Sequence, residues 1–516
     1  MSDFKDYELF IDSLSKQINN FSLNLNPKEF GVIIEVGDGL AKVVGLDEVC
    51  LGEVVYYLKD GDDVGIGMVM GIEPNFVHVM LFNKLDLVCA GVEVFSTKHH
   101  FRIPVGKHVL GRVINVLGQP VDGAGALVTD ETLEYREIEA MAPGIMDRSS
   151  VCEPLQTGIK IIDALIPIGL GQKQLILGDR QSGKTALAID TILNQKAVKD
   201  AGGKFTYCIY VAIGKKTSDI AKIYELLRRN GAMEYTIIIA STASDPTSMQ
   251  YVAPMCGAAL AEYFRDKGEA ALVIFDDLTK HADAYREISL LMRRTPARGA
   301  YPGDIFYLHS RLLERAVKMH EKKGGGSVTM LPMIETQAGD VSDYIPTNVI
   351  SITDGQVYLD KQLFFDGQKP AIDIGLSVSR IGSAAQYKAM KKIAGRLKGE
   401  LAQSRELESF ARTVSDLDPE TMKMLVRGRL LRELFKQSLN RPIGFANMII
   451  ILFAGIKGLL DKVKISEPIS DFEAKLFTYF SEKHQDIIEF LNTEHSFDDA
   501  MEERISAAIK SFLETY

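Results

Sequence analysis

Residues 178–185 have the spacing of a phosphate-binding loop. Their sequence fits the pattern G-x-x-x-x-G-K-[ST] and reads Gly178-Asp179-Arg180-Gln181-Ser182-Gly183-Lys184-Thr185. Backbone N–H groups of such a turn point at a phosphate, Lys184 adds a positive charge, and the Thr185 hydroxyl can hold Mg²⁺. The pattern predicts binding of ATP or ADP with Mg²⁺, with residues 179–185 as the binding residues. A chance loop of small residues is the alternative.

A second carboxylate follows at the end of an apolar run. Residues 271–275 read Ala-Leu-Val-Ile-Phe, and Asp276 and Asp277 come directly after them. In nucleotide hydrolases with this loop, a carboxylate at the end of a later strand holds Mg²⁺ through water. We predict that Asp276 has this role, with Asp277 as the alternative.

Hydrolysis needs a further carboxylate, because the attacking water must be oriented and polarised. In ring-forming members of this class it sits just after the strand next to the P-loop strand. That place here is residues 212–216, Ala-Ile-Gly-Lys-Lys. Lys215 is a cation at neutral pH and cannot act as the base, although it could contact a γ-phosphate or point into solvent. The sequence thus predicts a nucleotide that is held and turned over slowly or not at all.

Arg380 lies far downstream of the loop, in residues 376–382, Leu-Ser-Val-Ser-Arg-Ile-Gly. It is a candidate arginine finger, a residue that stabilises transition-state charge on the nucleotide of a neighbouring subunit. An arginine after a strand is more commonly a surface salt-bridge partner. The residues alone leave both interpretations open.

The elements that must position these residues alternate between strands and helices. Apolar runs at 174–177, 207–212, 236–240 and 271–275 are separated by helical stretches. Unbroken apolar strands alternating with helices predict a mostly parallel sheet covered on both faces, within a multidomain α/β chain. We place this central domain at residues 103–386.

The segments on either side have different textures. Residues 29–102 alternate short β-rich pieces with Gly and Asp turns, which predicts a small antiparallel β-barrel. Residues 387–516 are predicted to form a helical bundle. An apolar stripe of Phe10, Leu14, Ile18 and Phe21 predicts a helix within residues 1–28, either an arm that docks elsewhere or a helix folded back on its own domain.

Composition sets further limits. A chain of 516 residues should form more than one domain, and a formal net charge of −10 argues against a broad nucleic-acid surface. The five cysteines contain no C-x-x-C pair, which is typical of reduced, mostly buried thiols in a cytoplasmic protein. The longest apolar run, 448–454, is too short to span a bilayer. Any membrane link is expected to run through partners.

Long segments resemble the alpha subunit of the F-type ATP synthase. Besides the loop, the matching segments are 210–214, 301–304, 309–316, 334–341, 346–355 and 377–386. The resemblance implies a β-barrel crown, a RecA-like nucleotide domain and a helical bundle. Three copies would alternate with three catalytic beta subunits around a central gamma-type shaft, peripherally on the cytoplasmic face of the membrane. The N-terminal helix would bind a peripheral-stalk or delta-type subunit.

The resemblance also implies roles for single residues. The alpha subunit's own nucleotide site is non-catalytic, which agrees with Lys215. Arg380 as the finger and Ser351 near the phosphates would reach the beta subunit's nucleotide. Phe364, Pro370 and Gln437 would surround the adenine.

Three positions near this site depart from the family pattern. Lys215 and Leu439 stand where Gln is usual, and Lys369 replaces an Arg. The alternatives are an alpha-like paralogue in a rotary ATPase not coupled to proton transport and a homohexameric ATPase of the secretion or Rho type. The homohexamer needs a carboxylate near position 215, and a Rho-like helicase also needs an RNA surface. A structural spacer without nucleotide is disfavoured by Lys184 and Asp276.

Overall fold

The computed structural model describes residues 30–59, 62–127, 134–202, 205–411, 419–460 and 469–516. These residues form two compact units, divided between His99 and His100. The helix expected within residues 1–28 lies outside the described residues.

The first unit is a closed antiparallel barrel. Its strands are β1 (Phe30–Gly37), β2 (Leu40–Val44), β3 (Glu53–Lys59), β4 (Asp62–Ile72), β5 (Val77–Leu81) and β6 (Glu93–His100). Around the barrel they run β1-β2-β5-β4-β3-β6, and β6 closes on β1. Alternate residues such as Val43, Val55 and Tyr57 are fully buried in its interior. The predicted barrel is confirmed.

The second unit is built on a mostly parallel sheet. Its strands are β8 (Val113–Ile114), β10 (Leu175–Asp179), β11 (Thr206–Lys215), β12 (Thr236–Thr242), β13 (Ala270–Asp276), β14 (Val317–Lys318), β15 (Ser327–Thr336), β16 (Gly355–Leu359) and β17 (Val378–Ser379), beside a separate pair of β7 (Arg102–Val105) and β9 (Glu134–Glu137). The order is β17-β16-β10-β15-β13-β11-β12-β8, with β14 beside β15. β14 and β17 run antiparallel to their neighbours and the rest are parallel. This confirms the predicted sheet.

Helices cover both faces of the sheet. Those of this region are α1 (Lys160–Leu165), α2 (Lys184–Asp200), α3 (Thr217–Arg229), α4 (Thr247–Asp266), α5 (Leu278–Leu291), α6 (Ile305–Leu313), α7 (Tyr344–Ile352) and α8 (Lys361–Phe365). Every residue of β13 is buried. Because successive side chains of a strand point to opposite faces, both faces of the sheet must be covered at β13.

The chain ends in a helical region. Its described helices are α9 (Lys388–Ala411), α10 (Pro419–Leu434), α11 (Phe445–Ile456), α12 (Ile469–Lys483), α13 (Gln485–Glu494) and α14 (Asp499–Thr515). The apolar run 448–454 lies within α11 and is buried throughout. A buried ion pair between Lys160 and Glu473 joins α1 to α12. None of the described helices is both long and apolar enough to cross a membrane.

The cysteines differ from the expectation of mostly buried thiols. Cys208 and Cys256 are buried, but Cys50, Cys89 and Cys152 are exposed. The three exposed thiols lie in connections outside the strands and helices, where one side of the chain faces water.

Candidate functional site

The predicted phosphate-binding loop leaves the carboxyl end of β10 and enters α2. The strand is buried and lies between β15 and β16 inside the sheet. A Cβ on Gly178 would come within 2.7 Å of the Leu359 carbonyl oxygen, and Gly183 has a φ of +104°. Both positions therefore require glycine. The strand–loop–helix context that the motif needs is present.

Lys184 is folded across its own loop. Its ammonium group donates hydrogen bonds to the carbonyl oxygens of Gly178 and Asp179, each at 2.6 Å. Burial lowers the pKa of Lys184, against the opposing charges of Glu335, Asp277 and Asp276. These two carbonyl oxygens accept hydrogen bonds that the ammonium could otherwise donate to a phosphate. We therefore expect Lys184 to exchange them for phosphate oxygens when a nucleotide binds.

The other loop residues divide into two groups. The Asp179 carboxylate accepts hydrogen bonds from the Thr336 hydroxyl at 2.6 Å and the Gly339 N–H at 2.8 Å, so it anchors the loop to the end of β15. Arg180 and Gln181 are exposed. The Ser182 hydroxyl is buried and has no hydrogen-bond partner. An unsatisfied buried donor here fits a phosphate group.

Asp276 is the carboxylate that faces the loop. Its Oδ2 atom accepts hydrogen bonds from the Thr185 hydroxyl at 2.7 Å and the Tyr210 hydroxyl at 2.6 Å. Asp277 instead caps the N-terminus of α5, where its side chain accepts a hydrogen bond from the Lys280 N–H at 2.9 Å. Burial and the charge of Asp276 raise the pKa of Asp277 to about 6. The geometry favours Asp276 over Asp277.

Lys215 pairs with the same carboxylate. Its Nζ atom lies 2.6 Å from Asp276 Oδ1 and 3.9 Å from Asp277 Oδ2. Burial lowers the pKa of Lys215, but the charge of Asp276 and the hydrogen bond to it outweigh this effect, so the pKa is raised and the side chain stays charged. The side chain therefore points toward Asp276 and not into solvent.

The oxygens at this site fit Mg²⁺. The Thr185 hydroxyl and the Asp276 carboxylate are hard ligands of the type Mg²⁺ prefers, and they lie side by side. Within the described ranges, no group of three His, Cys, Asp or Glu side chains could hold a metal ion by itself. The ion would therefore need phosphate oxygens from the nucleotide, as is usual for Mg²⁺.

The sequence led us to expect the strand that ends at Lys215 to lie next to the P-loop strand, and the strand order shows that this expectation was wrong. β11, which ends at Lys215, is not beside β10, because β15 and β13 lie between them. The end of β11 still reaches the site through Asp276. The neighbour of β10 is β15, and its half-buried Glu335 stands in register with Gly178. A carboxylate is thus present at this edge. The sequence did not indicate it, because β11, β12, β13 and β14 all separate β10 from β15 along the chain.

The predicted adenine residues lie along one cleft beside the loop. Phe364, Pro370 and Gln437 line it together with Ser182 and Gly183. Lys369 places its ammonium 4.8 Å from the centre of the Phe364 ring, a cation–π contact. The cleft therefore joins an aromatic face to the phosphate-binding loop.

Gln437 uses its side chain to hold backbone. Its carbonyl oxygen accepts from the Lys160 N–H at 3.1 Å, and its amide nitrogen donates to the carbonyls of Gly158 and Arg441 at 2.7 Å and 3.0 Å. The amide is satisfied before any base binds. Leu439, at the second position where the family has Gln, is 61% exposed. A base in this cleft would therefore be held by packing against its walls more than by hydrogen bonds from side-chain amides.

Asp190 lines the same cleft and was not singled out from the sequence. It is buried, and its Oδ1 atom has no hydrogen-bond partner. Burial raises the pKa of Asp190 to about 7, against a hydrogen bond from the Asn440 N–H. A sequence signal was available, because this carboxylate stands in an apolar stretch of α2 with Leu187, Ile189 and Ile192, and residues 187–195 are all buried.

This carboxylate predicts a pH-dependent stability. An unfolded Asp releases its proton near pH 4, whereas folded Asp190 keeps it to about pH 7. The folded chain therefore binds more protons across this window, and its stability falls as pH rises through it. We expect Asp190→Asn to raise the melting temperature of the nucleotide-free chain at pH 8, with a smaller gain at pH 5. Thermal scans at both pH values measure this.

Asp200→Asn is the matched control, because Asp200 is exposed at the end of the same helix. It should shift the melting temperature little at either pH. A gain from Asp190→Asn that is equal at pH 5 and pH 8 would show that Asp190 does not hold its proton in the folded chain.

Arg380 and Ser351 meet on an exposed surface. The Arg380 guanidinium lies 3.4 Å from the Ile350 carbonyl oxygen at the end of α7, next to Ser351. Within the described part of the chain it contacts this carbonyl and no carboxylate. The Ser351 hydroxyl lies 2.8 Å from the Asn348 carbonyl oxygen. Both side chains are exposed.

This surface lies at the edge of the sheet formed by the amino ends of its parallel strands, whereas the chain's own loop lies at the edge formed by their carboxyl ends. Ser379 pairs with Gly355 at the amino end of β16, because β17 runs antiparallel to it. β16 is parallel to β10, and the loop leaves the carboxyl end of β10. The five residues of β10 alone separate the two edges by roughly 13 Å. Arg380 therefore cannot act on a nucleotide bound by its own chain.

Two family models match the chain. One, described as the ATP synthase alpha/beta family, nucleotide-binding domain, matches residues 158–379. The other, described as the ATP synthase alpha/beta chain, C terminal domain, matches residues 386–512. Together they cover more than half of the chain, including the phosphate-binding loop, Asp276 and Gln437. Arg380 falls between the two matches.

Proposed function

The chain belongs to the ATP synthase alpha/beta family, and from this premise we propose that it is a non-catalytic, alpha-type subunit of a rotary F-type ATPase. The observation that carries the proposal is the position of Arg380, on an exposed surface at the opposite edge of the sheet from its own loop. If Arg380 acts on a nucleotide, this position supports one that is bound by another subunit.

The chain's own loop would bind ATP or ADP. Backbone N–H groups at the start of α2 and the Ser182 hydroxyl would receive the phosphates, and Lys184 would move from its carbonyl partners to them. Thr185 and Asp276 would hold Mg²⁺, which supplies charge neutralisation at the β- and γ-phosphate oxygens when bound. Phe364 and Pro370 would pack against the base.

This site would hold its nucleotide without turning it over. β11 brings a lysine, Lys215, to the loop, and the ammonium of this lysine pairs with Asp276 at 2.6 Å. A charged ammonium has no lone pair with which to accept a proton. Slow or absent turnover by this chain follows from that chemistry.

The catalytic partner would be a beta-type subunit of the same family, alternating with this chain in a hexamer. Arg380 would stabilise the transition-state charge on its nucleotide, with Ser351 near the phosphates. A gamma-type shaft would pass through the ring, and the N-terminal helix would bind a peripheral-stalk or delta-type subunit. The assembly would lie on the cytoplasmic face of the membrane and couple ATP to ion transport, with protons as the proposed ion.

Hydrolysis by the purified full chain tests the proposal. Alone, with Mg²⁺ and ATP, it should turn over at least a thousandfold more slowly than the ~10 s⁻¹ of a median enzyme. Addition of a beta-type subunit should restore turnover. Brisk hydrolysis by the pure chain would contradict a non-catalytic role.

One observation favours a second candidate, a homohexameric ATPase that works alone. Glu335 is the penultimate residue of β15, the strand beside β10, and it stands in register with Gly178 at the start of the loop, whereas position 215 carries a lysine. If the pure chain hydrolyses ATP and Glu335→Gln abolishes the activity, this second function is the correct one. If Glu335→Gln leaves the activity of the mixed complex intact, Glu335 has no catalytic role.

A further inference from the structure

Asp276 has a positive partner within its own chain. Its side chain is 1% exposed, and three donors surround it: the hydroxyls of Thr185 and Tyr210 and the ammonium of Lys215. A buried carboxylate needs such compensation, because an unpaired charge in the interior is costly. Lys215 supplies it from the chain itself, without a metal ion.

Negative side chains outnumber positive ones among the five charged groups around the loop. Lys184 and Lys215 bring two positive charges, while Asp276, Asp277 and Glu335 bring negative ones, as their mutual effects on the pKa of Lys184 indicate. Without Lys215 the negative groups would dominate and would repel the phosphates of a free nucleotide. A divalent cation would then be required for binding.

We infer that Lys215 is a built-in cation that makes nucleotide binding at this site largely independent of Mg²⁺. Its ammonium neutralises the carboxylate that the metal would otherwise need to neutralise. It also competes with the metal for that carboxylate, so added Mg²⁺ improves affinity less than it would at a site without a lysine. The inference rests on the proposed binding of nucleotide by this chain, but not on the role of Arg380.

The pairing depends on a positive charge at this position and not on positive charge elsewhere nearby. Lys215 is the last residue of β11, and its side chain is 27% exposed. The next residue, Lys216, is exposed and directly precedes α3. These two adjacent lysines give a matched pair of test positions, one that faces Asp276 and one that faces water.

Calorimetric titration of the full chain with ATP tests the inference, once in excess Mg²⁺ and once in EDTA. The wild-type chain should lose no more than about tenfold in affinity in EDTA. Lys215→Gln should bind comparably in Mg²⁺ but lose roughly 10- to 100-fold more than wild type in EDTA, the effect of one charged partner. Lys215→Arg keeps the charge and should behave like wild type. Lys216→Gln should also behave like wild type.

Thermal scans of each variant establish that it is folded before titration. If the wild-type chain binds ATP in Mg²⁺ but not in EDTA, the inference is wrong while the proposed nucleotide site stands. The same conclusion follows if Lys215→Gln and wild type show equal ratios of affinity. If the wild-type chain binds ATP in neither condition, both the inference and the nucleotide-binding part of the proposed function are wrong.

Discussion

Arg380→Ala is expected to lower the kcat of the reconstituted complex by about 10³-fold. The guanidinium is exposed, lies beside Ser351, and is separated from its own chain's loop by the length of β10. Its loss would remove transition-state stabilisation at the partner's nucleotide and would leave ground-state binding there largely unchanged. Steady-state hydrolysis by complexes assembled from this chain and a beta-type subunit measures the effect.

Two further variants separate this role from a general loss of charge. Arg228→Ala removes an exposed arginine from α3 and should leave kcat unchanged. Arg380→Lys should recover little, because an ammonium lacks the planar fork of donors that a guanidinium presents to a phosphate. ATP affinity at this chain's own loop should be the same in all of them. An Arg380→Ala complex with a normal kcat would remove the residue from the mechanism.

Lys184→Ala should have the opposite distribution of effects. We expect ATP binding by the isolated chain to weaken by on the order of 10²- to 10³-fold, because a lysine contributes charged hydrogen bonds of ~1.5–3 kcal/mol each to a phosphate. Hydrolysis by the assembled complex should largely persist, since the proposed catalytic nucleotide belongs to the partner. Titration of the isolated chain and turnover by the complex are measured in parallel.

Lys199→Ala is the control on the same helix, because Lys199 is exposed near its far end. It should change neither binding nor hydrolysis. Complete loss of hydrolysis in the Lys184→Ala complex would mean that this chain's own site is catalytic. Glu335 would then be the candidate catalytic carboxylate.

The sequence predicted those parts of the fold that depend on local pattern. The apolar runs 207–212, 236–240 and 271–275 lie within β11, β12 and β13, and the glycine-rich loop lies between a strand and a helix as its motif requires. Short β-rich pieces separated by Gly and Asp turns predicted the barrel for the same reason. Each of these signals is carried by neighbouring residues, so no knowledge of distant segments is needed.

The details of the site depend on contacts between distant segments. The choice between Asp276 and Asp277 is made by Thr185 and Tyr210, which lie many residues upstream. The position of Glu335 depends on the insertion of β15 between β10 and β13. The amide of Gln437 points to backbone of a loop far away in sequence. Spacing along the chain does not reveal these pairings, because they arise only when the sheet is assembled.

The placement of the loop and Arg380 at opposite edges of one sheet has a consequence for symmetry. If the loop edge of one subunit faces the Arg380 edge of the next, the contact between them is heterologous, because two different patches meet. An isologous pair, with the same patch on both sides of a two-fold axis, would not use both edges in turn. Heterologous contacts continue from subunit to subunit until the rotation closes, so the geometry of this one sheet favours a cyclic assembly with a fixed direction around its axis.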